Sequence, residues 1–471
     1  MNEFLSQFNM ATVIAAVVVI VIAPWLISRI ARQGTATAVT LFGLIAVGVV
    51  AAAVVHTSQT DKKPSKEIAD DKSAKPGAGS IEPPRKEASA PTDRAPTSRS
   101  ITERREEAQS QPAENSRSVT PRSAASDNEL WDVVPVFYGT DRARKDAEKR
   151  IGYSEERGRR LEVGRALVTV PKIHKVPNIE RPWVYKLPII GVTIFSEKED
   201  PAKHFTLRDL KNLSEDEFAR LAKIRIDGAK NFVGQALVFV HGFNTTFDYA
   251  LYRAAQLSYD LKYDSGSFVY SWPSNGSISP RDYTNDRESA EQAEQYLKKY
   301  LKLVATRSGA KSLTIIAHSM GNEVLLPVLE SLRRDGNFNI KISQLIFAAP
   351  DVDRDTFAGI AKQIAGMSDG MTLYAANNDR ALMVSESIWR GPRAGSIPPD
   401  LPPVVLPGID TIDVSATETQ YFTLGHSGYA EKKELLEDIR SLLSKGYQAP
   451  KDRIPTLEPV QTPAGTYWKF P

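Results

Sequence analysis

Hydrophobic and polar residues follow three different patterns along the chain of 471 residues. Two apolar runs come first, at residues 11–30 and 36–55, and each has the length of about 20 residues that a helix needs to cross a bilayer. The next stretch is rich in Pro, Ser, Ala and charged residues and contains no aromatic residue, so it buries too little apolar surface to fold. A globular pattern begins at Trp131. We therefore predict a transmembrane helical hairpin over 1–56, a disordered tether over 57–128, a folded domain over 129–448 and a loosely ordered, Pro-rich tail over 449–471.

The two apolar runs are better explained as a membrane hairpin than as a signal peptide or a buried helix pair. A signal peptide requires basic residues before its apolar run, but no Lys or Arg precedes the first run. A buried helix pair requires a folded partner, and the segment after the second run offers none. Arg29 and Arg32 lie between the runs and favour a cytoplasmic position for this short loop, although lysines after the second run favour the opposite orientation. We expect residues 11–55 to anchor the chain in the bacterial inner membrane, with the folded domain outside the cytoplasm.

Short apolar runs alternate with amphipathic helical segments through most of the folded domain. A capping box at Ser214–Glu217 starts the first of these helices. Continuous apolar strands between amphipathic helices are typical of a parallel sheet that is covered on both faces. We predict an α/β fold with a mostly parallel eight-stranded sheet flanked by helices. The clearest strands are predicted at 236–240, 267–271, 313–317, 344–348, 371–375 and 409–414, and a final helix at 431–444.

Composition and charge exclude several classes of function. The 60 basic and 57 acidic residues nearly balance, and no predicted helix or strand of the folded domain carries a dense basic stripe, so we expect no nucleic-acid binding. The chain has no cysteine, which excludes disulfides and a thiol nucleophile. Neither a cluster of metal-ligating residues nor a phosphate-binding loop is visible in the sequence. We therefore expect no cofactor and no metal.

The motif Ala317-His-Ser-Met-Gly321 follows a predicted buried strand and opens a predicted helix. This is the context of a nucleophile elbow, where small residues flank the serine because the strand-to-helix turn is tight. Ala317 stands where the first glycine of that pattern is usual. A serine before a helix is also a frequent N-cap. The position of Ser319 between a buried strand and a helix favours a role as nucleophile over a role as N-cap.

A second motif, Val238-Phe-Val-His-Gly-Phe-Asn244, ends an earlier predicted strand at the position of an oxyanion loop. Gly242 allows the backbone to approach a reacting carbonyl closely. We expect the backbone N–H groups of Phe243 and Met320 to stabilise the oxyanion, and such donors contribute roughly 10²–10³ in rate each. His241 and His318 are expected to have structural roles, because a histidine at the end of a buried strand more often serves as a hydrogen-bond donor than as a base.

The partners of the serine are expected in the chain order Ser, acid, His. Of the six histidines only His426 follows the elbow, and its loop precedes the final helix, so it is the predicted base. Asp379 follows the strand at 371–375 and is the predicted acid. Asp351 and Asp353 follow the previous strand and are alternative acids. The Pro- and Gly-rich segment 391–408 between Asp379 and His426 is either a lid or a wrap over the sheet edge.

Six motifs in this order resemble the DUF900-type α/β hydrolases, an esterase- or lipase-like group. They are Phe137-Tyr-Gly-Thr-Asp-Arg142, His241-Gly-Phe-Asn244, Ser271-Trp-Pro-Ser274, Ala317-His-Ser-Met-Gly321, Ala348-Ala-Pro-Asp351 and Gly425-His426. The resemblance covers Trp131 to Ser444 and excludes the apolar N-terminus and the tether. It implies the α/β-hydrolase fold and a triad of Ser319, Asp379 and His426, but no particular ester. Tyr283 and Arg287, which follow the Trp-Pro-Ser motif, either line the site or serve only to cap and solvate a helix.

The leading functional hypothesis is a membrane-anchored serine hydrolase that cleaves a carboxylic ester, in a small molecule or a lipid, through an acyl-enzyme intermediate. The same triad would also suit a thioesterase, an amidase or an acyltransferase. Two hypotheses from other classes are an inactive hydrolase scaffold that binds another protein and a membrane-anchored structural spacer.

Overall fold

In the computed structural model the described residues are 130–145, 150–186, 193–275, 280–416 and 433–470. The predicted membrane hairpin, the predicted tether and His426 lie outside these ranges and stay predictions. Within these ranges, no helix combines the length and the apolar character that crossing a membrane requires.

The described part of the chain alternates strands and helices from residue 206 onward. The strands are β1 (Trp131–Arg144), β2 (Tyr153–Pro171), β3 (Val184–Lys186), β4 (Thr193–Ser196), β5 (Thr206–Leu213), β6 (Gln235–Val240), β7 (Gly266–Ser271), β8 (Ser312–His318), β9 (Lys341–Ala348), β10 (Ser368–Ala375), β11 (Asp410–Asp413), β12 (Glu458–Thr462) and β13 (Gly465–Lys469). The helices are α1 (Glu215–Asp227), α2 (Phe247–Asp260), α3 (Pro280–Arg307), α4 (Gly321–Asp335), α5 (Arg354–Gln363), α6 (Arg380–Trp389), α7 (Lys433–Lys445) and α8 (Pro450–Arg453).

Eleven of these strands form one sheet, in the order β12-β13-β11-β10-β9-β8-β6-β7-β1-β2-β5. The eight central strands, β13-β11-β10-β9-β8-β6-β7-β1, pair in parallel with their neighbours. The edge strands β2, β5 and β12 pair antiparallel. The predicted mostly parallel α/β sheet is confirmed. The predicted count of eight strands is wrong, because additional strands extend both edges.

The C-terminal tail differs from the loosely ordered segment that its proline content predicted. β12 and β13 form an antiparallel hairpin, and β13 pairs in parallel with β11 through Ile412 and Trp468. The aromatic and β-branched run of Gly465–Lys469 suits a strand. Proline in β12 is compatible with its place at the edge of the sheet, because an edge strand tolerates a missing N–H donor.

Helices cover both faces of the sheet. On one face α1, α3, α4 and α5 bury residues such as Phe218, Leu297 and Leu325, and on the other face α2 and α7 bury residues such as Leu251 and Ile439. Strands buried from both sides consist of apolar residues at successive positions, which explains the continuous runs in the sequence. The carboxyl ends of the parallel strands therefore meet at one edge of a rigid frame, where loops can carry functional groups.

Residues 391–397, here named the strap, lie across the carboxyl ends of β9 and β10. Within the strap, the Ala394 N–H donates to the Val352 carbonyl at 2.8 Å, and the Gly395 N–H donates to the Pro350 carbonyl at 2.9 Å. A Cβ on Gly395 would lie 2.4 Å from the backbone of the segment it crosses. Of the two predicted alternatives for this region, a lid or a wrap, these contacts favour a wrap.

A buried ion pair predicts how the stability of the fold depends on pH. His174 donates from Nδ1 to Glu180 at 2.8 Å and from Nε2 to Asp260 at 2.9 Å. Burial by itself lowers the pKa of His174, but the two carboxylates outweigh it and raise this pKa from 6.5 to about 9. The stabilisation of the fold by protonated His174 is therefore complete below pH 6.5 and is lost as the pH rises through 9.

We expect the free energy of unfolding to fall by up to roughly 3 kcal/mol between these pH values. Urea unfolding at several pH values measures this change, and the His174→Gln variant should lose most of the pH dependence. Parallel pH profiles for the variant and the unchanged protein would contradict this interpretation.

Candidate active site

Ser319 lies in the turn between β8 and α4, at the carboxyl end of a central strand. Its φ of 51° is in the left-handed region, which non-glycine residues rarely occupy. Surrounding bonds fix this conformation: the Ser319 N–H donates to the Ala348 carbonyl at 2.9 Å, and the Ser319 carbonyl accepts from the N–H groups of Asn322 and Asp351 at 3.1 and 3.2 Å. A strained serine held by its neighbours is the geometry that the elbow motif predicted.

Two glycines allow the elbow and the predicted oxyanion loop to touch. A Cβ on Gly321 would lie 2.5 Å from the His241 carbonyl oxygen, because the first turn of α4 packs on the end of β6. A Cβ on Gly242 would lie 2.8 Å from Cβ of Ser319. The predicted oxyanion loop therefore lies directly against the predicted nucleophile.

In the described part of the chain, the two predicted oxyanion donors have no competing acceptor. Within the described ranges, neither the Met320 N–H nor the Phe243 N–H donates a hydrogen bond. Both groups flank the contact between Gly242 and Ser319. Two unpartnered N–H groups at this point suit the binding of a negatively charged oxygen.

His241 and His318 are both buried beside the elbow. Burial, followed by the positive charge of Arg142, lowers the pKa of His241 well below its usual range. Burial, followed by the charge of Arg253, lowers the pKa of His318 to about 3. Both side chains are therefore neutral at neutral pH and are weak bases, in agreement with the structural roles expected for them.

Asp379 lies just beyond β10 and caps α6. Its Oδ1 accepts from the N–H groups of Ala381 and Leu382 at 2.9 and 3.1 Å, and burial raises the pKa of its carboxyl. As far as the described residues go, Oδ2 has no hydrogen-bond partner. The side chain is thus held in place at one oxygen, and the other oxygen is left for a further donor.

Asp351, the first alternative acid, is committed to other partners. Its Oδ1 accepts from Ser385 Oγ at 2.6 Å and from Arg393 Nε at 2.9 Å, and its Oδ2 accepts from the Tyr283 hydroxyl at 2.5 Å. Both oxygens are occupied, and the Arg393 charge on the strap neutralises the carboxylate. This arrangement favours Asp379 over Asp351 as the partner of a histidine.

Asp353, the second alternative acid, caps α5. Its Oδ1 accepts from the N–H groups of Asp355 and Thr356 at 3.1 and 2.9 Å. The backbone N–H of Thr356 is the largest influence that lowers the pKa of Asp353. An ordinary capping role accounts for this residue.

Aromatic side chains lie beside the oxyanion loop. The ring of Tyr283 is 5.1 Å from that of Phe243 and 6.2 Å from that of Trp389, between ring centroids. The guanidinium of Arg287 lies 4.5 Å from the centroid of the Trp389 ring. Tyr283 and Arg287 therefore belong to the surroundings of the predicted site, whereas Trp389 was not anticipated from the sequence.

Asp286 is a further residue that sequence reasoning missed. Its Oδ2 accepts from Ser274 Oγ at 2.5 Å, and its Oδ1 accepts from the Asn275 N–H at 2.9 Å. Burial raises the pKa of Asp286 to about 6. Ser274 Oγ in turn accepts from the Thr245 N–H at 3.1 Å, so Asp286 braces the oxyanion loop through the Trp-Pro-Ser motif. The motif itself was the only sequence signal for this bracing.

No group of three or more His, Asp or Glu side chains is placed to hold a metal ion in the ranges that the structure describes.

A comparison with protein families gives one match. Residues 216–445 match the family model described as "Alpha/beta hydrolase of unknown function (DUF900)". A comparison with curated proteins gives no match. The matched region contains Ser319 and Asp379 as well as the position of His426, and it begins after β5. Residues 216–445 are thus similar to the alpha/beta hydrolases of this family, which supports a hydrolase and agrees with the resemblance seen in the motifs.

Proposed function

We propose that the protein is a serine hydrolase that cleaves a carboxylic ester through an acyl-enzyme, with Ser319 as nucleophile, Asp379 as acid and His426 as base. The observation that carries the proposal is the left-handed Ser319, with φ 51°, held against Gly242 of the oxyanion loop. Such a backbone is strained for a serine, and strain of this kind concentrates at functional sites. An N-cap serine, in contrast, has an extended backbone.

The proposed reaction begins with attack of Ser319 Oγ on the ester carbonyl while His426 accepts the hydroxyl proton. The carbonyl oxygen becomes an oxyanion, which accepts hydrogen bonds from the Phe243 and Met320 N–H groups. As the tetrahedral intermediate collapses, the bond to the alcohol breaks and His426 gives its proton to the leaving oxygen. Water then attacks the acyl-enzyme with His426 as base, which releases the acid and restores Ser319. The carboxylate of Asp379 stabilises the imidazolium of His426 in both steps.

The aromatic side chains of Phe243, Tyr283 and Trp389 support a substrate with an apolar group next to the scissile ester. We expect full-length protein to hydrolyse p-nitrophenyl esters and to prefer an acyl chain of a limited length, because the apolar area that it buries contributes to binding. Initial rates over a series of chain lengths measure this preference. Absence of turnover at every length would contradict the ester hydrolase proposal, and faster turnover of matched thioesters would favour the thioesterase alternative.

We further propose that residues 11–30 and 36–55 anchor this enzyme in the bacterial inner membrane, with the hydrolase domain outside the cytoplasm. Their length and apolar character support the proposal. Deletion of residues 1–56 should move the protein from the membrane fraction to the soluble fraction. A truncated chain that stays in the membrane fraction would refute the anchor.

A further inference from the structure

We propose that Arg142 and His241 form a positioning relay that sets the direction of the Phe243 N–H at the candidate oxyanion site. The inference rests on the proposed function, because it gives that N–H an oxyanion to bind. It assigns a role to the Phe137–Arg142 motif, which precedes the region that matches the hydrolase family.

The guanidinium of Arg142 connects three segments at the carboxyl edge of the sheet. Arg142 is 2% exposed and lies at the end of β1. Its Nη2 donates to the Thr245 carbonyl at 2.6 Å, its Nη1 to the Ser274 carbonyl at 3.0 Å and its Nε to Ser271 Oγ at 3.0 Å. Burial lowers the pKa of Arg142 to about 10, so the group stays charged at neutral pH. The relay therefore begins at a fixed positive charge.

The contact between Arg142 and His241 determines the tautomer of the imidazole. Arg142 Nη2 lies 3.5 Å from His241 Nε2, and Ser271 Oγ lies 3.3 Å from the same nitrogen. A guanidinium has donors and no acceptor, so Nε2 of His241 must accept. Because the ring is neutral, its single proton is then on Nδ1. Nδ1 lies 2.8 Å from the Gly242 carbonyl oxygen and donates to it.

This last hydrogen bond acts on the oxyanion donor through the peptide plane. The Gly242 carbonyl and the Phe243 N–H belong to one peptide unit, which is planar and trans, so the two groups point in opposite directions. Holding the oxygen on the His241 side therefore turns the Phe243 N–H away from His241. Since Gly242 lies against Ser319, the peptide that the relay holds is the one that borders the nucleophile.

The imidazole itself is held on its other sides. The ring of Trp272 stacks on it, with 5.1 Å between centroids and 15° between planes, and Trp272 Nε1 donates to the His241 carbonyl at 2.7 Å. The ring thus has little freedom to rotate away from Gly242. A preorganised donor needs this rigidity, because a donor that must reorient during the reaction contributes less to the rate.

Two substitutions of His241 separate positioning from packing. The amide nitrogen of His241→Asn reaches the place of Nδ1 and keeps the bond to Gly242. The longer side chain of His241→Gln reaches the place of Nε2 and keeps an acceptor for Arg142, but it loses the bond to Gly242. We expect kcat of the Gln variant to fall at least 10-fold, towards the roughly 10²–10³ that loss of an oxyanion donor costs, with KM little changed. The Asn variant should retain most of the rate.

A Gln variant that is at least as active as the Asn variant would overturn the relay. The activity would then depend on packing around Arg142 and not on the hydrogen bond to Gly242. A matched control is His204→Asn, since His204 is also buried and lies next to β5. Thr206 of β5 pairs with Thr169 near the carboxyl end of β2, and Thr169 pairs with Val133 near the amino end of β1, whereas Arg142 lies near the carboxyl end of β1. This control should leave kcat unchanged. Thermal unfolding of each variant identifies any that do not fold.

A second measurement tests the relay in the unchanged protein and without any turnover. ¹⁵N chemical shifts of the imidazole, assigned by their loss in His241→Gln, should show His241 protonated at Nδ1 and unprotonated at Nε2 between pH 6 and 8. The opposite tautomer, or an imidazolium, would overturn the relay. Failure of the proposed function would give a different result from failure of the relay. The Ser319→Ala variant would then be as active as the unchanged protein, whichever tautomer His241 adopts.

Discussion

Replacement of Ser319 with alanine is expected to lower ester hydrolysis by roughly 10⁴-fold or more, because removal of a nucleophile eliminates the acyl-enzyme route. The substitution removes one hydroxyl from a half-buried position and leaves the hydrogen bonds of the Ser319 backbone intact. Stability should therefore change little. Initial rates with the preferred p-nitrophenyl ester, at equal concentrations of folded protein, measure the effect.

Ser387→Ala is a suitable control for the loss of a serine hydroxyl. Ser387 is exposed, and its hydroxyl donates only within α6, to the Val384 carbonyl. The control should keep the full rate. If Ser319→Ala also kept the rate, the activity would have another nucleophile or would not belong to this site.

Replacement of Asp379 with asparagine is expected to lower kcat by roughly 10³–10⁴, because a neutral amide does not stabilise the imidazolium and favours the wrong histidine tautomer. Asparagine caps helices about as well as aspartate, so the cap of α6 should persist and the melting temperature should change little. The loss should therefore appear in kcat rather than in stability.

Asp351→Asn is the matched substitution at the alternative acid, and the opposite pattern is expected. It removes the carboxylate charge that faces the buried guanidinium of Arg393, 3% exposed, and leaves Glu323, at 3.2 Å, as an ionic partner. Leaving a buried charge with no partner costs about 3–5 kcal/mol, and we expect a smaller loss of stability here because Glu323 remains. The folded fraction should keep kcat close to that of the unchanged protein. A larger loss of kcat in Asp351→Asn than in Asp379→Asn would assign the acid to Asp351 instead.

The parallel core of the fold could be read from the sequence because burial on both faces leaves a direct signature. The strand at 313–317, for example, is apolar at every position except Thr314, and the structure has β8 at Ser312–His318. The edge strands carry no such signature. β12 contains proline and β5 contains five polar or charged residues among its eight, so pairing with neighbours rather than burial decides their structure.

The part of the candidate site that could be predicted is the part formed by short local motifs. The backbone of Ser319 and the close approach of Gly242 follow from steric rules that act over a few residues. The partners of Arg142, in contrast, are about 100–130 residues away along the chain, at Thr245, Ser271 and Ser274. Only the topology of the sheet brings them together, by placing β1 next to β7 and β7 next to β6. The pairing of Asp351 with Arg393 likewise depends on how the strap crosses the strand ends.

Covalent labelling tests whether Ser319 is an activated nucleophile. Full-length protein is treated with a fluorophosphonate, digested and analysed by mass spectrometry, with Ser319→Ala as the control. We expect one phosphonylated peptide with the modification on Ser319, and no labelling of the variant. A folded protein that stays unlabelled at Ser319 would contradict this expectation.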